Sequence, residues 1–239
     1  MFGLKSVYLY LIASQITLIK FFKKIYFSSK NYNKSLETKT PQQVYYNPNP
    51  FLLSIITSYN DQSFKISEID PKVFWLEEKK DAQSMHSFFW LNLINRKTDH
   101  KNLKKIIYIW MLKNSNYSKK IWETSTLSAR IISWILNIDI ILINSTFDFR
   151  KNFLNCIVSQ TNHLKNNIKY EKDFSKKIQI LTTIILTGLV FKEYEKNFDF
   201  GLRELEALVK EFFDKDGFPF SRNPSDLIFF SKYLIFCKE

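Results

Sequence analysis

The sequence predicts an all-α protein, and three observations support that prediction. Hydrophobic residues make up 45% of the 239 residues, which is enough for a sizeable packed core. Gly (4) and Pro (6) are too scarce for the many turns of an all-β protein. From about Ser84 onward, apolar residues recur at the spacing of one helix face. We therefore expect helices of about 12 to 20 residues joined by short polar segments.

The N-terminal segment is apolar and basic. Residues 6–19 carry no charge, and this run is short for a membrane span, which needs about 20 apolar residues. Lysines flank it at Lys5, Lys20, Lys23 and Lys24. A cleavable signal peptide should end in small residues, whereas Phe21 and Phe22 follow here. Residues 1–34 are predicted to form a basic amphipathic helix that packs on the domain or rests on a membrane surface, with a signal anchor as the alternative. The compartment stays open between the cytoplasm and the membrane or cell envelope.

A linker or extended arm is predicted over residues 35–83. The stretch from Ser35 to Pro50 is polar and contains several prolines, a composition typical of connecting segments. Residues 51–76 hold short alternating runs such as Phe64–Ser67, which favour one or two short strands.

Residues 84–239 are predicted to form the main helical domain. One helix face is marked by Leu103, Ile106, Ile107 and Trp110, and Asp99 is a plausible N-cap for that helix. Further helices are expected over 130–143, 153–164, 178–191 and 202–212, and Pro224 suits the first turn of the last one. The helix over 178–191 is apolar almost all round and should be buried. Helical hairpins in a ring would form an incomplete α/α toroid, although an irregular bundle explains the same periodicity.

Charge and motifs limit the classes of function. Lys and Arg together number 35 against 23 Asp and Glu, a net charge of +12. A basic surface attracts nucleic acid, anionic lipid or acidic polysaccharide, or is simply well solvated. There is no Gly-rich phosphate loop, no nucleophile elbow and no RNA-binding aromatic signature, so we expect no nucleic-acid partner. The histidines lack metal-type spacing and the two cysteines lie in apolar helical patterns, so we expect no metal and no cofactor.

Two groups of aromatic and basic residues are candidate binding sites. His86 and Trp90 are four residues apart and share a helix face, either as a hydrogen-bonded core pair or as a surface on which a sugar ring stacks. Trp122, Arg130 and Trp134 form the second group. Arg130 could hold a substrate carboxylate, or it could stack on Trp134 and tie down a loop.

The third candidate is the turn from Asp216 to Asp226. Gly217 permits a backbone conformation that other residues resist. Arg222 and Asn223 could then reach one anionic group, or Arg222 could hold the turn by pairing with Asp216 or Asp226.

From about Thr40 to Glu239, the chain resembles the N-terminal helical domain of the bacterial heparinase II/III-like polysaccharide lyases. The resemblance rests on the segments Trp122–Trp134 and Gly201–Leu227, on the region of Trp75 and on His86-Ser87-Phe88-Phe89-Trp90-Leu91. It implies a helical toroid followed by a β-sandwich domain, which would lie beyond residue 239. It also implies β-elimination on uronate-containing polysaccharide.

By this resemblance each candidate residue has an expected role. Arg222 and Asn223 would neutralise the uronate carboxylate, assisted by His86 or Arg130. The substrate-binding residues would be Trp90, Trp122, Arg130, Trp134 and Ser221.

Two departures from the family pattern affect the expected chemistry. Phe174-Ser175-Lys176 stands where the lyases carry Gly-Asn-His, and Asp226-Leu227 stands where they carry Tyr-His. The first expectation is therefore the substrate-groove domain of a polysaccharide lyase acting on acidic polysaccharide. The alternatives are a non-catalytic polysaccharide-binding or envelope-assembly module and a basic membrane-surface protein.

Overall fold

A computed structural model describes residues 4–37, 39–46, 48–49, 52, 70–75, 82–94, 96 and 100–238. Within these residues the protein is helical and has no β-strand, only isolated bridge residues such as Phe213 and Pro219, so the predicted all-α class is confirmed. The α-helices of the described residues are α1 (Leu4–Phe27), α2 (Lys30–Leu36), α3 (Pro71–Phe74), α4 (Ala82–Ser87), α5 (Lys101–Asn114), α6 (Thr124–Leu136), α7 (Ile138–Leu142), α8 (Phe147–Asn167), α9 (Phe174–Val190), α10 (Glu195–Phe212) and α11 (Pro224–Lys238). Short 3₁₀ segments occupy Phe89–Leu93, Ile168–Tyr170 and Lys192–Tyr194.

The N-terminal helix α1 presents most of its surface to solvent. Its described side chains between residues 7 and 22 are exposed, apart from the half-buried Ile12. Packing on the domain, one of the two expected arrangements, is therefore wrong for this stretch. The exposed apolar side chains at 7–11 are consecutive, so they surround the helix instead of forming the single face of an amphipathic one.

The arm that follows α2 lies along the domain where it is described. Residues 39–46 form neither helix nor strand, and the backbone N–H of Tyr45 donates to the carbonyl oxygen of Val190 at 3.0 Å. Pro41 is buried. The stretch Phe64–Ser67, where a strand was expected, lies outside the described residues.

Helices α5 and α6 confirm the predicted type of structure but not every boundary. The predicted apolar face of α5 is fully buried, whereas its expected N-cap Asp99 lies outside the described residues. The carboxylate of Glu123 caps α6, so this helix begins at Thr124, earlier than predicted. It ends before Asn137, whose buried amide donates to the Ser133 carbonyl oxygen and accepts from Arg96. The single helix expected over 130–143 is therefore two helices.

Helix α9 lies at the centre of the described fold and packs against α6, α8, α10 and α11. Asp173 caps its N-terminus, and the predicted burial of this apolar helix is confirmed. Gly188 allows α10 to approach closely, because a Cβ atom there would lie 2.3 Å from the backbone nitrogen of Phe198. The close approach of α9 and α10 thus depends on the absence of a side chain at Gly188.

The N-terminal ends of α6 and α9 meet, and α9 and α11 run in the same direction. Lys176 in the first turn of α9 forms an ion pair with Glu123, the N-cap of α6, at 2.7 Å. Along α9 and α11, Gln179 donates to the Tyr233 hydroxyl, and Cys237 lies 3.4 Å from the Thr182 hydroxyl one turn further on. The N-terminal ends of these three helices therefore lie at the same end of the domain.

Candidate functional site

Arg130 lies on α6, one turn before Trp134, and its side chain is fully buried. Its Nη1 donates to the carbonyl oxygens of His86 and Ile121, each at 3.1 Å. Its Nε donates to the Gln160 side-chain oxygen at 2.9 Å. The guanidinium thus ties the end of α4 and the loop before α6 to helices α6 and α8. These contacts match the loop-holding alternative for Arg130.

Aromatic rings surround the same guanidinium. Its central carbon lies 4.5 Å from the ring centroid of Trp110 and 5.9 Å from that of Trp134. The two indoles meet edge to face, with centroids 5.3 Å apart. Trp110 is therefore the nearer cation–π partner, although the sequence pointed to Trp134.

The positive charge of Arg130 has no carboxylate partner among the described residues. Burial lowers the pKa of Arg130 to about 9, so the side chain is still protonated at neutral pH. Its Nη2 is buried and has no hydrogen-bond partner there. Carbonyl oxygens, one amide and two indole faces are its neighbours, and such an environment leaves a buried cation incompletely compensated.

His86 and Trp90 both lie in the core beside this cluster. The Nδ1 atom of His86 accepts a hydrogen bond from the Trp110 indole at 2.8 Å, and its ring stacks on Trp75. Trp90 is 9% exposed, and its indole donates to the Met85 carbonyl oxygen. Both rings are therefore buried in the core, but the shared helix face was a wrong expectation, because α4 ends at Ser87, before Trp90, and His86 accepts its hydrogen bond from Trp110.

The turn between α10 and α11 is organised by Asp214. Its carboxylate accepts the backbone N–H groups of Asp216 and Phe218 at 3.0 and 2.9 Å, and it pairs with Arg222 at 2.6 Å. The hydrogen bond from Phe218 and the neighbouring Arg222 hold the pKa of Asp214 below its ordinary value. The expectation that Arg222 pairs with Asp216 or Asp226 was wrong, since its partner is Asp214.

Ser221 and Asn223 face a different carboxylate, that of Asp226. The Ser221 hydroxyl donates to it at 2.6 Å and the Asn223 amide at 3.4 Å. The Asn223 side-chain oxygen also accepts the N–H of Ser225 and so caps α11. Arg222 and Asn223 therefore do not converge on one point, and no described contact joins this turn to Arg130.

Trp122 lies at the boundary between the core and a cleft. It is 3% exposed, and its indole donates to the Asn114 carbonyl oxygen at 3.1 Å. It lines a cleft of about 510 Å³ formed by α2, α5 and α8. Trp122 is the one sequence-predicted site residue that borders this cleft in the described structure.

Polar uncharged side chains dominate the cleft. They are Asn33, Thr40, Ser115, Asn116, Asn152, Asn155 and Ser159. Tyr108 lies at the same cleft and is 44% exposed. The amide of Asn33 is held by Tyr117 and Ser29, whereas those of Asn116, Asn152 and Asn155 bind no protein group within the described residues. These amides offer both donors and acceptors to a ligand.

Sequence reasoning missed the cleft, although one signal for it exists. Asn152, Asn155 and Ser159 recur at i, i+3 and i+7, and so form one polar stripe on α8. The same pattern is typical of any solvent-exposed helix face, so it does not by itself predict a cleft. Only the packing of α2 and α5 beside α8 makes it the wall of a cleft.

Cys156 links the cleft to the buried cation. It borders the cleft, and its Sγ accepts from Gln160, the residue that also accepts from Arg130. Burial raises the pKa of Cys156 to about 12, so its thiol is protonated at neutral pH. The charged group in the cleft lining is Glu37, and Arg130 lies behind Gln160, which contacts Cys156.

Comparisons with known proteins give no relative for this chain. No family model matches it, and neither a curated protein nor a solved structure matches it significantly. None of the helices in the described residues has the length and apolar character needed to cross a membrane. The same residues contain no group of three or more His, Cys, Asp or Glu side chains that could hold a metal ion.

Proposed function

We propose that the chain is a saccharide-binding helical domain and that the cleft between α2, α5 and α8 is its binding site. The observation that carries this proposal is the set of amides without protein partners on Asn116, Asn152 and Asn155. Sugar hydroxyls both donate and accept hydrogen bonds, as amides do. A cleft volume of about 510 Å³ also falls within the usual range of ligand sites, about 300–1,000 Å³.

The preferred ligand is an acidic polysaccharide. The net charge of +12 favours an anionic polymer, while the cleft itself suits neutral hydroxyl groups. Exposed lysines immediately adjoin cleft residues in sequence at Lys34, Lys113 and Lys151. The polymer would place hydroxyls in the cleft and carboxylates against these lysines. Added salt should therefore weaken its binding more than that of a neutral oligosaccharide.

The finer arrangement of this domain is an incomplete α/α toroid. Helices α6, α9 and α11 would form its inner layer, and α8 and α10 would pack outside α9. The ion pair between Glu123 and Lys176 and the contact of Gln179 with Tyr233 support this order. The proposal makes the chain similar in architecture to the helical domain of the heparinase II/III-like proteins.

Replacement of two cleft amides tests the binding site. The Asn152→Ala/Asn155→Ala variant should bind uronate oligosaccharides at least about tenfold more weakly by calorimetry, because each lost hydrogen bond is worth roughly 1 kcal/mol. Asn166→Ala is the matched control, since Asn166 is exposed on the same helix but lies outside the cleft. Unchanged affinity in the double variant, with folding intact, would contradict the proposed site.

A lyase is the second candidate function. The first turns of α9 and α11 lie at one end of the domain, and these are the positions where the family carries its catalytic residues. β-Elimination needs a group that neutralises the carboxylate, a base and an acid. Arg222 and Asn223 would supply the first of these once a substrate carboxylate replaced their separate described partners, Asp214 and Asp226.

The ultraviolet absorbance of unsaturated uronate products tests the lyase directly. If the chain is a lyase, Arg222→Ala should abolish product formation while oligosaccharide binding in the cleft persists. Product formation at the wild-type rate would remove Arg222 from the mechanism. If the wild-type protein binds the oligosaccharide but forms no unsaturated product, the lyase is excluded and only the saccharide-binding function is supported.

A further inference from the structure

Helix α1 exposes an unusual amount of apolar surface. It has 24 residues and so is about 36 Å long at roughly 1.5 Å per residue. Its consecutive side chains at 7–11 are each between 50% and 70% exposed, and Phe21 and Phe22 are 56% and 64% exposed. A helix in a water-soluble domain normally buries its apolar stripe. The described part of α1 buries almost none of it.

The described contacts that fix α1 to the domain are at its C-terminal end. The ring of Phe27 lies 4.6 Å from that of Tyr32 and 5.1 Å from that of Tyr117. The Lys23 ammonium sits 3.4 Å from the ring centroid of Tyr170. One end of the helix is thus anchored while residues 7–22 are presented away from the core.

The charged residues within the first 36 positions of the chain are all positive. The lysines of the first 36 residues are Lys5, Lys20, Lys23, Lys24, Lys30 and Lys34. The first acidic residue of the chain is Glu37. Aromatic side chains at Phe21, Phe22 and Tyr26 are interleaved with the lysines. Aromatic rings and long basic side chains are the groups that favour the boundary between lipid headgroups and acyl chains.

We propose that α1 binds the surface of an anionic lipid bilayer. Its apolar side chains would enter the region between headgroups and acyl chains, and its lysines would contact lipid phosphates. A second copy of the chain fits less well, because pairing of two α1 helices would bring like charges together. Nucleic acid would satisfy the lysines but leave Leu9, Leu11 and their neighbours in water.

Membrane binding through α1 would also position the proposed saccharide cleft. Only Ser28 and Ser29 separate α1 from α2, and Ser29 caps α2. Helix α2 supplies the cleft residues Asn33 and Leu36. The cleft would therefore lie within a short distance of the bilayer. The lipid interaction itself does not depend on saccharide binding.

A tryptophan placed on α1 reports on lipid insertion. The native tryptophans are all buried, at Trp75, Trp90, Trp110, Trp122 and Trp134. Phe22→Trp in the full chain adds one exposed indole, and Phe220→Trp is the control because Phe220 is 62% exposed in the turn between α10 and α11. Vesicles of phosphatidylglycerol and phosphatidylcholine with brominated acyl chains should quench and blue-shift the indole at position 22. They should leave the indole at position 220 unchanged.

Sedimentation with the same vesicles separates apolar from electrostatic contributions. Leu9→Glu/Leu11→Glu should abolish sedimentation without lowering the melting temperature, because both side chains are exposed. Lys20→Gln/Lys24→Gln should weaken binding by roughly thirtyfold, about fivefold for each lysine. Vesicles of pure phosphatidylcholine should bind the wild-type protein much more weakly than the anionic ones.

Three results would overturn the proposal. The first is equal quenching at positions 22 and 220. The second is binding of the wild-type protein to neutral and anionic vesicles with the same affinity. The third is wild-type sedimentation by the Leu9→Glu/Leu11→Glu variant. A dimer in light scattering that this variant dissociates would instead assign the α1 surface to a second copy of the chain.

Discussion

Arg130 and Arg222 are two of the five arginines in the chain, and the structure places them in opposite environments. Arg130 is fully buried and contacts carbonyl oxygens, an amide and indole rings. Arg222 is 65% exposed at its side chain and pairs with the carboxylate of Asp214. The buried arginine thus has no carboxylate among the described residues, whereas the exposed arginine has one.

The difference shows how burial changes the role of the same side chain. Desolvation makes each hydrogen bond to Arg130 costly to lose, because the carbonyl oxygens it holds have no water to replace it. Water and salt screen the pair between Arg222 and Asp214, so that pair contributes little to folding. Arg130 is therefore suited to holding segments together, and Arg222 is suited to exchanging one carboxylate for that of a ligand.

The largest effect is expected from Arg130→Ala. The change leaves a cavity and removes donors from His86, Ile121 and Gln160, so the free energy of unfolding should fall by about 4 kcal/mol. Urea denaturation measures this loss. Arg130→Lys should recover only a small part of it, since an ammonium group cannot reproduce the three directed bonds. If Arg130→Ala lowers the free energy of unfolding by less than about 1 kcal/mol, buried Arg130 contributes no more to folding than exposed Arg222.

The buried imidazole of His163 extends this comparison to the pH dependence of stability. The Nδ1 atom of His163 accepts a hydrogen bond from the Tyr32 hydroxyl at 2.6 Å. Burial lowers the pKa of His163 from 6.5 to about 4. Between these two values the unfolded chain binds a proton that the folded protein does not, so stability should fall as the pH falls from 6.5 to 4. The full loss is about 3 kcal/mol.

His163→Gln tests the source of that pH dependence, since it removes the titrating ring and keeps a polar group beside Tyr32. Thermal unfolding should show a smaller decline in stability over the same pH range for this variant than for the wild type. Arg222→Ala, on the exposed side of the comparison, should keep the wild-type slope. Equal slopes for His163→Gln and the wild type would place the proton uptake elsewhere.

A smaller effect is expected at Gly217, in the turn that holds Arg222. Its φ is 81°, in the left-handed region, and a Cβ atom there would meet nothing within 4 Å. The cost of Gly217→Ala is therefore conformational and should be about 1 kcal/mol by denaturation. Gly217→Asn should lose less, because asparagine tolerates this conformation better. A loss as large as that of Arg130→Ala would mean that the conformation of this turn matters as much to folding as the buried contacts of Arg130.

The smallest effect is expected from Arg222→Ala on folding. The Asp214 side chain is 14% exposed but that of Arg222 is 65% exposed, so solvent reaches the ion pair and the melting temperature should change by less than about 2 °C. Calorimetry in low and high salt measures this change, and the small difference should shrink as salt is added. A fall of 10 °C would show that the turn holds the domain together.

The sequence by itself determined the helical class and most of the helices. The spacing of Leu103, Ile106, Ile107 and Trp110 fixes the buried face of α5, because side chains three and four residues apart share a helix face. Pro224 marks the start of α11, since a proline in the first helical turn sacrifices no hydrogen bond. Both features depend only on residues that are close together in the chain, so they can be predicted directly from the sequence.

Only the tertiary structure decided the environments of the candidate site residues. Arg130 meets Gln160 and His86, which lie 30 and 44 positions away in the chain, and these contacts bury it. Asn152 and Asn155 became cleft residues because α2 and α5 pack beside α8. Whether a side chain is buried, and which group it contacts, depends on which distant segments of the chain pack together. The local spacing of residues does not predict those contacts. For this reason the sequence predicted Arg130 and Arg222 as residues of the same site. Only the packing of the helices shows that Arg130 is buried and that Arg222 is exposed.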